Sequence, residues 1–291
     1  MYKNLTQQEV AQILNGKLHQ PTSQLINSVC LNAGQSQPGR AFFALAGSRS
    51  HGHSFVQQAQ ANKASLAVVE EIQPSSLAQI QVTNSQAALT QLAAYNRSLF
   101  TQPVIGITGN SGKTTVKEIL AALLEAHYFT QGRSECSFCQ EQKTAQDCHG
   151  LQPRSDDQPA KLTRVLATQG NLNNHLGVPL TLLRLQPQHQ AAVIEMGMSN
   201  FGEMRRLAKI ASPDYAVMTN IGISHIQQLK TQQNIMKEKL HITDMFNKNS
   251  VLFLNGDDAM LAGLRNKIDA KTIYFGTKSW CDFRAENIKT E

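Results

Sequence analysis

The residues with the clearest capacity for chemistry lie between 106 and 115, where the sequence reads Gly-Ile-Thr-Gly-Asn-Ser-Gly-Lys-Thr-Thr. Glycines at this density let backbone N–H groups turn inward around an anion, and a helix that begins at the lysine adds partial positive charge. The loop therefore predicts binding of nucleotide phosphates, with Lys113 neutralising the β- and γ-phosphates and the Thr114 hydroxyl available to Mg²⁺. The spacing departs from the common G-x-x-x-x-G-K-[ST] pattern because Ile107 stands where that pattern has glycine.

We expect the second half of this phosphate loop to contact the nucleotide. The predicted binding residues are Gly109, Asn110, Ser111, Gly112, Lys113, Thr114 and Thr115. A glycine-rich turn that carries Gly-Lys-Thr by accident is the alternative, and the strand and helix patterns on either side argue against it. A phosphate loop alone does not define a reaction, since hydrolases, kinases, motors and ligases all use one.

Later segments carry further polar residues that suit such a site. Residues 170–180 read GNLNNHLGVPL and contain Asn171, Asn173 and Asn174, whose amides both donate and accept hydrogen bonds. Glu195 ends the apolar run at 191–195.

His225 and Lys239 follow further along the chain. His225 lies after an apolar run at 214–219, and Lys239 lies in a helical segment over 232–246 that also carries Lys237. Taken one at a time, all these candidates have ordinary interpretations: a solvated strand end, a surface histidine, a solvated helix lysine and a hydrogen-bonded asparagine turn.

Apolar runs predict the elements that would position these residues. Strands are expected at 41–45, 65–70, 104–107, 191–195, 214–219 and 250–254. A capping-box pattern at Thr6 and Glu9 starts one helix, and others are expected at 85–99 and 114–126. In the last of these, one buried face is predicted to comprise Val116, Ile119, Leu120, Leu123 and Leu124. Strands alternating with helices favour an α/β fold with a mostly parallel sheet.

The length of 291 residues indicates two domains. We place a small α/β substrate domain at 1–100 and a P-loop ATPase-type domain at 101–291, with a polar insertion loop at 127–160. Structural zinc and free surface thiols are both open interpretations of the possible metal ligands in this insertion, which are Cys136, Cys139, Cys148 and His149.

Composition narrows the class of partner. Lys and Arg number 27 against 21 Asp and Glu, so the net charge of +6 suits an anionic partner without choosing one. No basic run is interleaved with aromatic residues, so nucleic acid is not expected. No run of 18 apolar residues occurs, and the opening MYKNLTQQEV lacks a signal pattern. We therefore expect a cytoplasmic monomer without membrane insertion.

In this order, the segments TGNSGKTT, TQGNLNNHLGVPL, VIEMGMSNFGE, TNIGISH and MKEKL resemble the Mur ligase family, over about residues 35–288 outside the insertion. The resemblance implies an ATP-dependent amide ligase, in which a substrate carboxylate attacks the γ-phosphate and an amine then attacks the acyl phosphate. Bringing two anions together needs concentrated positive charge. The asparagine block is most similar to the branch that joins D-alanyl-D-alanine to UDP-N-acetylmuramoyl-tripeptide in peptidoglycan synthesis.

The resemblance also implies a role for each candidate residue. Lys113 would contact the γ-phosphate of ATP, and two Mg²⁺ ions would be held by Thr114, Glu195, His225 and a carbamylated Lys239. Carbamylation by CO₂ turns an amine into an anionic oxygen ligand, and it needs a lysine that is often deprotonated. The asparagine cluster would lie near the substrate.

Two departures from the family pattern define the alternatives. Asn32-Ala33-Gly34 occupies the place where the family has Asp-Ser-Arg for its nucleotide substrate, and His51 stands where aspartate is usual. The 291 residues also stop before the adenine-clamping segment and the C-terminal domain of relatives, so we expect an incomplete second domain and a weak or inactive ligase. A non-catalytic ATP-binding remnant, another Mur-type ligase and a hydrolytic phosphate-loop switch stay open.

Overall fold

The computed structural model describes residues 1–46, 52–134 and 163–288. His51 and the four possible zinc ligands of the insertion lie outside the described residues. The strands are β1 (Leu5–Thr6), β2 (Lys17–His19), β3 (Leu25–Ile26), β4 (Ser28–Cys30), β5 (Arg40–Phe43), β6 (Leu66–Val69), β7 (Gln79–Gln81), β8 (Val104–Thr108), β9 (Val165–Ala167), β10 (Ala191–Glu195), β11 (Tyr215–Met218), β12 (Val251–Asn255), β13 (Thr272–Gly276) and β14 (Phe283–Arg284). The α-helices are α1 (Gln7–Leu14), α2 (Val56–Ala61), α3 (Ser85–Ser98), α4 (Lys113–Ser134), α5 (Gly177–Leu182), α6 (Glu203–Ala211), α7 (Ile226–Leu229), α8 (Gln232–Leu240) and α9 (Ala259–Ala262). No helix within these ranges is long and apolar enough to cross a membrane.

Two sheets carry the fold. The larger has strand order β14-β13-β12-β11-β8-β10-β9, and every neighbouring pair runs parallel. The smaller has order β2-β7-β6-β5-β4 and is parallel except at its β2–β7 edge. This architecture confirms the predicted α/β class with a mostly parallel sheet. The division into domains at residue 100 stays a prediction.

The central strands of the larger sheet form where the sequence is continuously apolar. Every residue of β8 and β10 is buried, as expected for parallel strands that helices cover. The strands predicted at 104–107 and 191–195 are confirmed to within one residue. The helix predicted over 232–246 is shorter, because α8 ends at Leu240 and a 3₁₀ turn follows over His241–Thr243.

Helix α4 differs from the helix predicted at 114–126 in its length and in which of its apolar residues face the sheet. It extends to Ser134, so residues 127–134 are helical, and the prediction of an insertion loop from 127 is wrong there. Ile119 and Leu123 were expected to be buried but are 56% and 63% exposed. The residues of this helix that pack against the sheet near its start are Val116, Leu120 and Leu124. Val116, Leu120 and Leu124 are four residues apart and form one narrow stripe along the helix, so the adjacent stripe with Ile119 and Leu123 can face solvent.

The strand ends of the larger sheet define where a site can lie. β8 ends at Thr108, and its neighbours β10 and β11 end at Glu195 and Met218. Glu195 pairs with Ile107, and Met218 pairs with Thr108. Because the carboxyl ends of parallel strands meet at one edge of a sheet, the loops that follow these three strands come together. The phosphate loop lies in the middle of that edge.

Helix α3 joins the first hundred residues to the larger sheet. Asn96 is 2% exposed and donates from Nδ2 to the Leu182 carbonyl at 2.8 Å. Arg97 donates from Nε to the Ala211 carbonyl and from Nη2 to the Ser212 carbonyl, both at 2.8 Å. Buried apolar side chains from both parts of the chain belong to one continuous core.

Candidate active site

The phosphate loop turns tightly between β8 and α4. Gly109 has a φ of 150° and Gly112 a φ of 75°, backbone conformations that favour glycine. At Gly109 an added Cβ atom would also overlap the Thr219 hydroxyl. Helix α4 begins at Lys113, and the N–H groups of its first turn have no acceptor within the helix. These N–H groups are therefore available to an anion at the helix start.

Asn220, which follows strand β11, supports this loop from one side. Its Oδ1 accepts hydrogen bonds from the backbone N–H groups of Asn110 at 3.1 Å and Ser111 at 3.0 Å. Its Nδ2 donates to the Ser111 hydroxyl at 2.9 Å, and the Thr219 hydroxyl donates to the Ser111 carbonyl at 2.6 Å. No role was predicted for Asn220 from the sequence. Its position just after an apolar strand in a parallel sheet was the available signal.

The Lys113 amine lies back over the loop. Its Nζ donates to the carbonyl of Gly109 at 3.1 Å and to that of Asn110 at 3.3 Å. Phosphate oxygens are stronger partners for a full positive charge than carbonyl oxygens, so Lys113 is placed to move onto a phosphate. Both polar atoms of the Asn110 side chain are buried without a hydrogen-bond partner in the described structure. Unmet hydrogen-bonding capacity at this point fits a polar ligand.

Glu195 connects the helix after the phosphate loop to the asparagine segment. It is 1% exposed, and its Oε2 accepts from the Thr114 hydroxyl at 2.9 Å. Its Oε1 accepts from Asn173 Nδ2 at 2.8 Å. The backbone N–H of Glu195 donates to the Thr168 hydroxyl at 2.9 Å. The structure thus places Thr114, Glu195 and Asn173 in direct contact, and Thr168 is a supporting residue that the sequence analysis missed.

Lys239 reaches the same loop from helix α8. Its side chain is 2% exposed, and Nζ donates to the Gly109 carbonyl at 3.0 Å. Burial lowers the pKa of Lys239 to about 7, the positive charge of Lys113 lowers it as well, and Glu238 partly opposes the shift. A large fraction of this amine is therefore neutral near pH 7, and the neutral amine is the nucleophilic form.

A cavity of about 300 Å³ adjoins these side chains at the edge of the sheet. The predicted site residues in its wall are Gly109, Asn110, Lys113, Asn173, Asn174, His225 and Lys239. His225 is exposed and has a φ of 65°, just before α7. Thr115 is exposed on the first turn of α4. Asn171 is exposed and does not line the cavity, and its carbonyl accepts from the N–H of Asn173 at 2.8 Å.

Glu203, the first residue of α6, also lines this cavity. It accepts hydrogen bonds from the N–H groups of Ser199 at 2.7 Å and Asn200 at 3.2 Å. Partial burial raises the pKa of Glu203, but the hydrogen bonds from Asn200 and Ser199 and the charge of Arg206 outweigh it and hold the pKa below its usual value. The cavity wall therefore keeps one negative charge opposite the lysines.

A larger cavity of about 800 Å³ lies between α3 and α6 and shares Gly197 and Glu203 with the first. Its wall includes the basic residues Arg206 and Lys209 and several apolar side chains of the two helices. The two cavities therefore adjoin at Gly197 and Glu203.

The oxygen donors fit a magnesium ion that is bound together with a nucleotide. In the part of the chain that the structure describes, no three His, Cys, Asp or Glu side chains are grouped to hold a metal. Mg²⁺ commonly takes only one or two protein oxygens and completes its shell with phosphates and water. The Thr114 hydroxyl and the Glu195 carboxylate are such oxygens, and they lie 2.9 Å apart beside the phosphate loop.

The chain belongs to the Mur ligase family, because the family's middle domain matches residues 107–291. Among its relatives, the UDP-N-acetylmuramoyl-tripeptide–D-alanyl-D-alanine ligase of Bacillus subtilis is 33% identical over 289 residues. That match covers 97% of this chain and 55% of the relative. The enzyme of the same name from Escherichia coli is 29% identical over 287 residues, which cover 98% of this chain and 56% of the relative.

Solved structures give the same result. The crystal structure of MurF from Acinetobacter baumannii aligns with a TM-score of 0.80 at 30% identity and covers 99% of this chain and 56% of that one. MurF from Thermotoga maritima, solved in complex with ADP, aligns with a TM-score of 0.68 at 29% identity over 87% of this chain and 51% of that one. The chain is thus MurF-like, and it spans about half the length of the relatives it matches.

Proposed function

We propose that the chain forms the nucleotide site of an ATP-dependent ligase of the MurF type, which would join D-alanyl-D-alanine to UDP-N-acetylmuramoyl-tripeptide. The observation that carries this proposal is the contact of Thr114 with Glu195 at 2.9 Å, at the same sheet edge as Lys113, His225 and Lys239. The similarity to ligases of that name supports the substrate class.

The proposed reaction has two steps. An oxygen of the substrate's terminal carboxylate attacks the γ-phosphorus of ATP, the bond to the β-phosphate oxygen breaks, and ADP leaves. The amine of D-alanyl-D-alanine then attacks the acyl carbon, phosphate leaves with the bridging oxygen, and the nitrogen loses a proton. In the first step Lys113 exchanges its carbonyl partners for a γ-phosphate oxygen, and its charge reduces the repulsion between the two anions.

Two Mg²⁺ ions would supply charge neutralisation and alignment of the attacking and leaving oxygens. Thr114 and Glu195 would hold one of them, with Asn173 fixing the second carboxylate oxygen. His225 and Lys239 would hold the other, after the neutral amine of Lys239 has added CO₂ and released a proton. The pKa of about 7 for Lys239 supports this step, because the ammonium form cannot react.

The larger cavity is the proposed path of the peptide-bearing substrate. It runs from helix α3 of the first hundred residues to Gly197 and Glu203 at the phosphate-loop cavity. Arg206 and Lys209 in its wall suit a substrate with several carboxylates. The asparagines at the shared end can donate to the carboxylate that is activated.

Magnesium-dependent ATP binding by these 291 residues tests the proposal. We expect a fluorescent ATP analogue to bind with Mg²⁺, and K113M to weaken that binding about 10- to 100-fold through loss of a charged phosphate contact. Wild-type protein that does not bind the analogue would contradict the proposal. Because the chain spans about half the length of its relatives, we expect little ligation of D-alanyl-D-alanine, and rapid turnover would contradict that expectation.

A non-catalytic ATP-binding protein is the second candidate function. It is favoured by the loop at Asn32-Ala33-Gly34, where the Asn32 side chain accepts from the Gly34 N–H at 2.8 Å and so caps a 3₁₀ turn. The Asn32 side chain is therefore used within its own loop, and Ala33 and Gly34 stand where the family pattern has the serine and the arginine that it uses for substrate. Binding of UDP-N-acetylmuramoyl-tripeptide, measured by calorimetry, separates the two candidates, since the non-catalytic protein would bind ATP alone.

A further inference from the structure

Lys117 is a lysine with no exposed side-chain surface, one turn after Thr114 on helix α4. Its Nζ donates to the Thr168 carbonyl at 2.7 Å. The same Nζ lies 2.8 Å from Glu118 Oε1, although the Glu118 side chain is 66% exposed. Burying an amine is costly unless its hydrogen bonds are satisfied, so an apolar residue would stabilise this position at lower cost. The lysine therefore needs an explanation beyond packing.

The partner of Lys117 leads directly to Glu195. Thr168 is 2% exposed and follows strand β9. Its hydroxyl accepts from the Glu195 N–H at 2.9 Å, and its own N–H donates to the Val193 carbonyl at 3.1 Å. Thr168 is thus fixed to β10 at Glu195, which carries the proposed magnesium carboxylate, and at Val193, two residues earlier.

The segment that begins at Thr168 also carries Asn173, which donates to Glu195 Oε1 at 2.8 Å. Helix α4 consequently reaches Glu195 by two routes. Thr114 contacts the carboxylate directly. Lys117 donates to the carbonyl of Thr168, and the hydroxyl of Thr168 accepts from the backbone N–H of Glu195. Groups arranged behind a metal ligand in this way usually fix its orientation.

We propose that Lys117 is a positioning residue, which anchors Thr168 and thereby holds the Glu195 carboxylate in place for the magnesium ion of the bound nucleotide. This proposal rests on the proposed function, because it assigns Glu195 to magnesium. Lys117 contacts neither nucleotide nor metal in this proposal. Its amine acts only by fixing the carbonyl of Thr168.

The test is the Mg²⁺ concentration needed for half-maximal binding of the fluorescent ATP analogue. K117M keeps the length of the side chain and removes the donor. We expect it to need about 10- to 100-fold more Mg²⁺, which is the usual effect of losing an outer-shell partner. Binding of the analogue without Mg²⁺ should be unchanged, a result that general loss of packing would not give. K248M, at an exposed lysine, is the matched control and should behave as wild type.

A double-mutant cycle with T168V tests the route through Thr168. Valine keeps the shape and the carbonyl that Lys117 contacts but removes the hydroxyl that accepts from Glu195. We expect T168V to raise the Mg²⁺ requirement and T168S, which keeps the hydroxyl, to have the wild-type requirement. The double variant K117M/T168V should need no more Mg²⁺ than the single variant with the higher requirement. Additive effects of the two changes would overturn the proposed route.

The outcomes separate this proposal from the proposed function. If wild-type protein shows no Mg²⁺-dependent binding of the analogue, both fail. If wild type does bind and K117M has the same Mg²⁺ requirement, only the positioning role of Lys117 fails. Should K117M be unfolded at the assay temperature, K117L gives the same comparison, because leucine also lacks the donor to the Thr168 carbonyl. An unchanged Mg²⁺ requirement in K117L would then count against the proposal.

Discussion

The two sides of the candidate site differ in how completely the protein builds them. On the Glu195 side, both carboxylate oxygens already have donors, from Thr114 and Asn173, and the acid is 1% exposed. On the Lys239 side, His225 is exposed and has a left-handed backbone conformation. In the described structure the Lys239 amine donates only to the Gly109 carbonyl of the phosphate loop. The first side is preorganised by hydrogen bonds, whereas the second needs a covalent change at Lys239 before it offers an oxygen ligand. The difference predicts that substitutions on the two sides have unequal effects.

The largest expected effect is on the preorganised side. E195Q replaces one of two acceptor oxygens by an amide N–H₂, which cannot accept from both Thr114 and Asn173. We expect the Mg²⁺ requirement for ATP-analogue binding to rise at least about 100-fold, above the range for outer-shell residues. Titration of Mg²⁺ against bound analogue measures it, with E71Q at an exposed glutamate as the control. A normal Mg²⁺ requirement in E195Q would remove Glu195 from the metal site.

The loop that both sides share gives the second effect. G109A places a Cβ atom against the Thr219 hydroxyl at a φ of 150°, so we expect the free energy of unfolding to fall by about 2–3 kcal/mol and nucleotide binding to be lost. G263A is the matched control, because the nearest atoms to its added Cβ are at ordinary contact distance. Denaturant unfolding of the two variants measures the difference. If G109A and G263A have the same free energy of unfolding, the loop adapts to the added Cβ atom and the prediction is wrong.

The third expected effect is a pH dependence of the free energy of unfolding that comes from Lys239. The folded protein holds Lys239 with a pKa of about 7, below the ordinary value of 10.5, so the unfolded chain binds more protons between these two values. Stability contributed by this group therefore rises with pH from about 7 to about 10.5, with a slope of at most about 1.4 kcal/mol per pH unit. K239M should remove this slope. Chemical unfolding of wild type and K239M at pH 7, 8 and 9 measures the difference, and parallel curves would contradict it.

The smallest effect belongs to the exposed side. H225A removes a side chain that lies at the surface, so we expect the unfolding free energy to change by no more than about 0.5 kcal/mol. ATP-analogue binding should persist, with a higher Mg²⁺ requirement only for a second ion. Differential scanning fluorimetry and Mg²⁺ titration check both points. A large loss of stability in H225A would show that the second side is also built into the fold.

The sequence predicted the parts of this molecule that local pattern controls. Continuous apolar runs gave β8 and β10, and the capping box at Thr6 and Glu9 starts α1 as expected. The phosphate loop was found from its glycines and its lysine. Local pattern could not show which stripe of α4 faces the sheet, because Ile119 and Leu123 satisfy the same helical period as Val116, Leu120 and Leu124, which are partly buried against the sheet.

The residues that support the site could not be predicted from the sequence, for a different reason. Thr168 and Asn220 lie inside the segments TQGNLNNHLGVPL and TNIGISH, and Lys117 lies one turn after Thr114, but their local sequence does not show which residues they would contact. Their importance arises from partners 27 to 109 residues away, which only the pairing of distant strands brings close.

The hydrogen bonds of α3 have a consequence for how a ligase built on this chain could open and close. Asn96 and Arg97 donate to main-chain oxygens at the ends of two helices beside the larger sheet. Swinging the first hundred residues away would exchange these hydrogen bonds for bonds to water, at a net cost of about 0.5–1.5 kcal/mol for each. We therefore expect the first hundred residues to move together with the larger sheet, with which they also share one apolar core.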